Sequence, residues 1–293
     1  MTRPRTKGDM CDIYTGTESE YGTAVPTTAH GRLKTLSDKT SDESEKYIVC
    51  GSRVSSSGTI IRTTGYSANM TLRSGDLAAW LALGYTTEAE LPSYTTEVKV
   101  GPQEWHLWKG CTVNTMTLSA SQIGGAVTLT TEAVAQWHTS KDETDGYSDE
   151  KLQTITLANP TAGSTTSLPV AYNSFPTVTD VSGTEIVPAK SWSLSINNSL
   201  TSLPASGTYI AMSAGQGAYP TDLDISFSMT IASQIGRKFD RYRENAQVIT
   251  AKVVVDGKTL TIKGTVDSAG PDRNSESGYD ETITLKNCTL TVE

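Results

Sequence analysis

Tyr66-Ser-Ala-Asn-Met-Thr-Leu-Arg-Ser-Gly-Asp-Leu-Ala-Ala-Trp-Leu-Ala-Leu-Gly84 has a counterpart later in the chain, Ile225-Ser-Phe-Ser-Met-Thr-Ile-Ala-Ser-Gln-Ile-Gly-Arg-Lys-Phe-Asp-Arg-Tyr242. Each stretch opens with apolar and polar residues in alternation, the period of a strand with one buried face. Ala68, Met70 and Leu72 hold that face in the first stretch, and Phe227, Met229 and Ile231 hold it in the second. A serine follows two residues on in both, Ser74 and Ser233, where a helix would take its N-cap. Six residues further, Trp80 and Phe239 give the new helix an aromatic core anchor. All of these pairs, Met70 and Met229 among them, are offset by the same 159 residues. Two copies of one strand–cap–helix unit suggest a duplicated domain, and duplicated domains often build symmetric assemblies.

The 293 residues give room for one large or two ordinary domains with proper cores. A net charge of −8 argues against wrapping nucleic acid through a basic surface, which needs clustered Lys and Arg. Cys11, Cys50, Cys111 and Cys288 show no Cys-x-x-Cys spacing, so they read as small buried hydrophobes rather than a zinc or redox site. Arg3, Arg5 and Lys7 make the start basic, but no apolar run follows, so no signal peptide is expected. No stretch is apolar enough to span a membrane as a helix, and synthesis in a reducing cytoplasm is expected. Thr, Ser, Val and Gly dominate while Leu and Phe are sparse, a bias suited to pleated, half-buried surfaces with many turns. The expected fold class is mainly β.

Residues 1–45 are polar and weakly patterned and read as an extended N-terminal arm and loop. Ile13, Tyr14, Tyr21 and Val25 are spaced along it as candidate contacts between stacked subunits. A first β domain is expected over 46–137, with strands at 47–50, 59–64, 66–73, 104–109, 111–119 and 126–137. Its helix, 76–83, buries Leu77, Trp80 and Leu81. Gly124-Gly125 joins the last two strands as a hairpin. Residues 138–186 read as a linker carrying an acidic loop, with some strand at 152–157. A second β domain is expected over 187–293, with strands at 190–197, 209–213, 223–231 and 281–292 and a helix at 234–244 burying Ile235, Phe239 and Tyr242. Asp256-Gly257, set between Val253–Val255 and Lys258–Ile262, predicts a type I′ hairpin turn.

No catalytic constellation emerges. His30, His106 and His138 have no His, Cys or carboxylate at ligand or triad spacing, and no Ser lies in a Gly-x-Ser-x-Gly elbow. Gly215-Gln-Gly217 lacks the rest of a dinucleotide fingerprint. The acidic stretches 142–150 and 272–280 miss EF-hand geometry, the first with Lys141 and Leu152 at ligand positions, the second with Ser277 for glycine and Ile283 for glutamate. No cofactor and no metal is expected, and the pattern favours a structural role over an enzymatic one.

From about residue 45 onward the chain resembles the major tail tube proteins of long-tailed, non-contractile viruses of bacteria or archaea. Three pieces carry the resemblance: Gly110-Cys-Thr-Val-Asn-Thr-Met-Thr-Leu118 with its Gly-Gly hairpin and Val127-Thr-Leu-Thr130; Ser191-Trp-Ser-Leu-Ser-Ile-Asn-Asn-Ser-Leu200; and the strand–helix segment ending Ala82-Leu-Gly-Tyr85. The resemblance implies a structural virion protein of two tandem, duplicated β-sandwich or partial-barrel domains, each with one short helix. Subunits would stack as homo-oligomeric rings around a channel for DNA, in the virion tail. With two domains per chain, three chains complete a ring of pseudo-sixfold symmetry. About four strands per domain make about 24 strands, which at ~4.8 Å spacing and ~40° tilt close at roughly 48 Å backbone diameter. Implied partners are further copies of the chain, tape-measure and tail-terminator proteins, and double-stranded DNA passing without specific binding. The leading alternative is a β-rich virion decoration, fibre or adhesin-type binding module.

Within the tube reading, strands 111–119 and 126–137, with 246–255 and 258–266, are expected to line the channel. Thr128, Thr130 and Glu132 share one face of the second strand and are the lumen candidates, while Val127, Leu129 and Thr131 share the other.

Overall fold

The computed structural model describes residues 12–39, 41–48, 55–88, 90–100, 104–122, 124–142, 170, 177–179, 189–201, 219–220, 222–232, 238–274 and 278–293. The first group of elements is β1 (Asp12–Thr17), β2 (Thr28–Asp38), β3 (Ser41–Ile48), β4 (Ser55–Thr71), α1 (Asp76–Gly84), β5 (Tyr94–Val100), β6 (Glu104–Ala120), β7 (Thr128–Ala135) and β8 (Trp137–Asp142). All pairings are antiparallel. β1 pairs with β2 and β5, β5 with β6, β6 with β7, β7 with β4, and β4 with β2, so six strands close into a barrel. β3 extends β4 as a hairpin, and β8 continues β7 along β6 after a break at Gln136.

Residues 12–38 therefore do not form the expected arm. Their apolar residues are few, but β1 and β2 fill the gap between β5 and β4, and Ile13 is fully buried there. A strand needs only every second residue to be apolar, and neighbours supply the rest of the burial. β5 likewise forms where the sequence reads as a loop between Pro92 and Pro102. The two strands expected at 104–109 and 111–119 are one, because Gly110 takes φ 62° and lets the chain bend without leaving the ladder. The reverse holds at 126–137, which splits into β7 and β8.

Helix α1 begins one residue later than Ser74 would cap it. Gly75 occupies the N-cap at φ 92° with no side-chain bond. Instead the Asp76 carboxylate reaches back to accept the Arg73 N–H at 2.7 Å, an anchor at the positive end of the helix. Trp80 is fully buried, its indole N–H donating to the His30 carbonyl at 2.6 Å and its ring lying edge-on to Tyr94.

The second group is β9 (Thr177–Thr179), β10 (Ala189–Asn197), β11 (Leu200–Thr201), β12 (Tyr219–Pro220), β13 (Asp224–Ala232), α2 (Lys238–Glu244), β14 (Val248–Val255), β15 (Lys258–Asn274) and β16 (Gly278–Val292). β10 pairs with β13, β13 with β16, β16 with β15, β15 with β14, and β14 with β9, while β11 and β12 pair with each other. The expected turn at Asp256-Gly257 is present with φ of 52° and 72°, as a type I′ turn requires. Phe239 of α2 is buried and packs edge-on to Tyr242. Ser233, Ile235 and the strands expected at 152–157 and 209–213 lie outside the described residues, as does the acidic loop at 143–150.

The two groups are continuous. The second half of β6, residues 115–120, leaves β5 behind and pairs with β10. Asn198 locks this junction, its buried amide donating to the carbonyls of Gly84 at 3.0 Å and Val113 at 2.9 Å. A buried amide satisfied on both N–H groups fixes where the second sheet leaves the first.

Candidate functional site: a sheet with one hydroxyl face

Following the pairings across the junction gives one sheet in the order β2-β4-β7-β6-β10-β13-β16-β15. Because side chains alternate along each strand, register decides what every row across the sheet contains. One row reads Met70, Leu129, Leu118, Leu194, Phe227, Leu285 and Val266, all buried in the core. The next row, on the opposite face, reads Thr71, Thr128, Ser119, Ser193, Ser228, Thr284 and Ser268. A parallel row reads Thr35, Asn69, Thr130, Thr117, Ser195 and Ser226. On β2 the first row continues to Arg32, opposite Thr71; every other position named in the two rows carries a short hydroxyl or amide.

These groups bond sideways to one another. The Asn69 amide donates to Thr130 Oγ1 at 2.8 Å, Ser119 and Thr128 share a hydrogen bond of 2.9 Å, and Thr117 Oγ1 donates to Ser195 Oγ at 3.3 Å. Lateral bonding lowers what each hydroxyl gains from an outside partner, because a satisfied donor has less left to offer. The charges near the face are likewise paired: Glu132 with Lys39 at 3.0 Å and Lys286 with Asp267 at 2.5 Å.

The structure brings Thr128, Thr130 and Glu132 onto this one face and places Leu129 and Thr131 on the buried one. Of the second-half strands expected to line the channel, β15 belongs to this sheet, whereas β14 lies beyond β15 and β13 pairs with β16. The sequence reading passed over Ser193, Ser195, Ser228 and Thr284, although the alternation Ser-Trp-Ser-Leu-Ser over 191–195 carries the signal. Trp80 and Phe239 are both buried. The candidate contacts Ile13, Tyr14, Tyr21 and Val25 belong to the first barrel instead. Ile13 is fully buried, the Tyr21 ring lies against Gly110, and the Val25 N–H donates to Thr95 Oγ1 at 3.2 Å.

Two further polar clusters are internal to the fold. His106 Nδ1 lies 3.2 Å from His138 Nε2, a pairing invisible in the sequence, and both rings stack with Trp108. Burial pushes the His138 imidazole down to about 4, against the pull of the Asp38 carboxylate 3.4 Å away, so it is neutral at pH 7. Within the barrel, Glu18 accepts from the Gly110 N–H and the Thr95 hydroxyl, each at 2.9 Å. Burial raises Glu97, which accepts from Thr27. Among the described residues no group of three or more His, Cys, Asp or Glu is placed to hold a metal ion.

The fold presents a wide antiparallel sheet with the core on one side and short hydroxyl side chains on the other. A family model described as phage tail tube protein matches residues 8–291, and the chain belongs to that family. It is a structural protein of the virion tail, and the match favours the tube over a decoration or fibre module. No curated protein matches the chain. No described helix is long and apolar enough to cross a membrane.

Proposed function

We propose that the hydroxyl face lines the channel of the tail tube, and that the chain carries two equivalent tube domains, so that three chains make one ring. The observation that carries the first part is the pair of Ser/Thr/Asn rows, broken on β2 by Arg32 opposite Thr71. A channel that passes DNA must keep water at its wall and offer few cations, since each phosphate neutralised adds to binding.

The domain reading draws on connectivity. In the first group β1 pairs with β5, β5 with β6, β6 with β7, β7 with β4 and β4 with β2, and α1 follows β4. In the second, β9 pairs with β14, β14 with β15, β15 with β16, β16 with β13 and β13 with β10, and α2 follows β13. The second order repeats the first along this path, although the β1–β2 pairing that closes the first barrel has no β9–β10 counterpart among the described residues. Each half then supplies four strands to the hydroxyl-faced sheet, β2-β4-β7-β6 and β10-β13-β16-β15. Three chains give about 24 strands and a backbone diameter of roughly 48 Å; six would give about twice that, far more than a duplex needs. Tape-measure and tail-terminator proteins are the partners expected at the tube's ends, in a long non-contractile tail.

Lysines placed in the rows test the lining. Tubes assembled from a Thr130→Lys, Thr284→Lys double variant are expected to retain duplex DNA at low salt and release it as salt rises, with the log–log slope steepening with each phosphate engaged. Wild-type tubes should retain little. Variant tubes that assemble and handle DNA as wild type does would place the hydroxyl face elsewhere.

A further inference from the structure

The junction between β6 and β10 inside the chain has a matching pair of edges at the two ends of the same sheet. β2 pairs with β1 only through Thr28, Ala29 and Arg32, so among the described residues no strand covers that edge from Leu33 to Ser37. β15 pairs with β14 only as far as Thr265, and no described strand covers that edge from Val266 onward. By connectivity β2 stands to the first half as β10 stands to the second, and β15 stands to the second as β6 stands to the first. The two open edges are thus the counterparts of the two strands already joined within the chain.

The geometry points to β15 of one subunit pairing antiparallel with β2 of the next copy of this chain, repeating the β6–β10 junction between subunits. This rests on the tube reading and adds the surface and its register. Leu33 faces Met70 on β4 as Trp192 faces Met229 on β13, and Leu36 faces Ala68 as Leu194 faces Phe227, so Leu36 corresponds to Leu194 and Ser37 to Ser195. Ser268 faces Thr284 on β16 as Thr117 faces Thr130 on β7, so Ser268 corresponds to Thr117. Within the chain Thr117 lies opposite Ser195 and Leu118 opposite Leu194. The register between subunits follows: Ser37 opposite Ser268, Leu36 opposite Ala269, and Thr35 opposite Gly270.

Burial agrees with a missing neighbour. Leu194 is 1% exposed between its two flanking strands, whereas Leu36, with β4 its one flanking strand among the described residues, is only partly buried. An open strand edge is a template for another chain, and this one carries its own complement. Pairing here joins the eight-strand sheets end to end and carries the hydroxyl face across the seam.

Cysteine pairs read the register directly. In the chain Thr117 Oγ1 and Ser195 Oγ are 3.3 Å apart, so the corresponding Ser37 and Ser268, both exposed, should come as close between subunits. Full-length Ser37→Cys, Ser268→Cys protein, assembled into tubes and mildly oxidised, is expected to form disulfide-linked oligomers that stop at three chains. A Thr35→Cys, Gly270→Cys pair should give the same ladder. A Thr35→Cys, Ser268→Cys pair, displaced by two residues to ~7–8 Å, should link about tenfold less. Thr117→Cys, Ser195→Cys serves as the control, forming its disulfide within one chain. Tubes in which the control pair links but neither matched pair does, or in which the displaced pair links equally, would overturn the pairing. A ladder stopping at six would keep the seam and discard the three-chain ring. Failure of the wild-type chain to form tubes would remove the tube reading, and this seam with it.

Discussion

Trp80→Ala is expected to lower the subunit's stability by about 3–5 kcal/mol, the cost of truncating a buried aromatic whose cavity cannot collapse. Trp80 has no exposed surface, and two contacts hold it in place: the ring of Tyr94 and the His30 carbonyl that accepts its indole N–H. Alanine removes the ring's burial and leaves that carbonyl without the indole donor. The loss is a large fraction of the ~5–15 kcal/mol that holds a typical domain together. Denaturant unfolding of the unassembled subunit reads it as a lower midpoint. Phe239→Ala should behave alike, since Phe239 is 1% exposed beneath α2. A shift below about 1 kcal/mol for Trp80→Ala, the scale of ordinary substitutions, would mean that α1 is dispensable to the barrel.

Removal of residues 1–30 is expected to abolish folding rather than free a soluble subunit. The deletion takes out β1, the strand that closes the barrel between β2 and β5, together with the start of β2 from Thr28 to His30. It buries nothing in exchange for Ile13, leaves Arg73 without its Asp12 partner, and strips the Glu18 carboxylate from the Gly110 N–H and the Thr95 hydroxyl. Two facing strand edges would be opened inside the first core, where an unpaired backbone group costs about as much as a lost hydrogen bond. Circular dichroism and solubility of the truncated chain check this. A folded, soluble product that merely fails to polymerise would restore these residues to the role of an assembly arm.

Much of the fold was legible where each strand carried its own alternation. Met70 and Met229, Trp80 and Phe239, and the Asp256-Gly257 turn all stand where local pattern places them, because each is decided by neighbours two to four residues away. β1 and β5 were not legible. Their burial comes from partners some 80 residues distant, as when Ile13 pairs with Val98, and a few apolar residues suffice once both flanks are covered. Ser74 failed as a cap because Gly75, in the left-handed region, takes the N-cap, and Asp76 instead binds the upstream Arg73 N–H. The hydroxyl face was half legible. Thr128 and Thr130 could be assigned from their own strand, but the match of β16 rather than β14 to β7 depends on which strand β13 pairs with, a long-range choice that alternation alone does not encode.

The reading of this chain as a tube whose wall is the hydroxyl face is tested most directly by an electron-microscopic reconstruction of its assembled tubes at side-chain detail. The expected map has three chains per ring, an unbroken sheet running from β15 of one chain into β2 of the next, and the rows through Thr130 and Ser228 pointing at the channel axis. A map in which those rows face the tube exterior or a neighbouring ring, with other strands lining the channel, would contradict it.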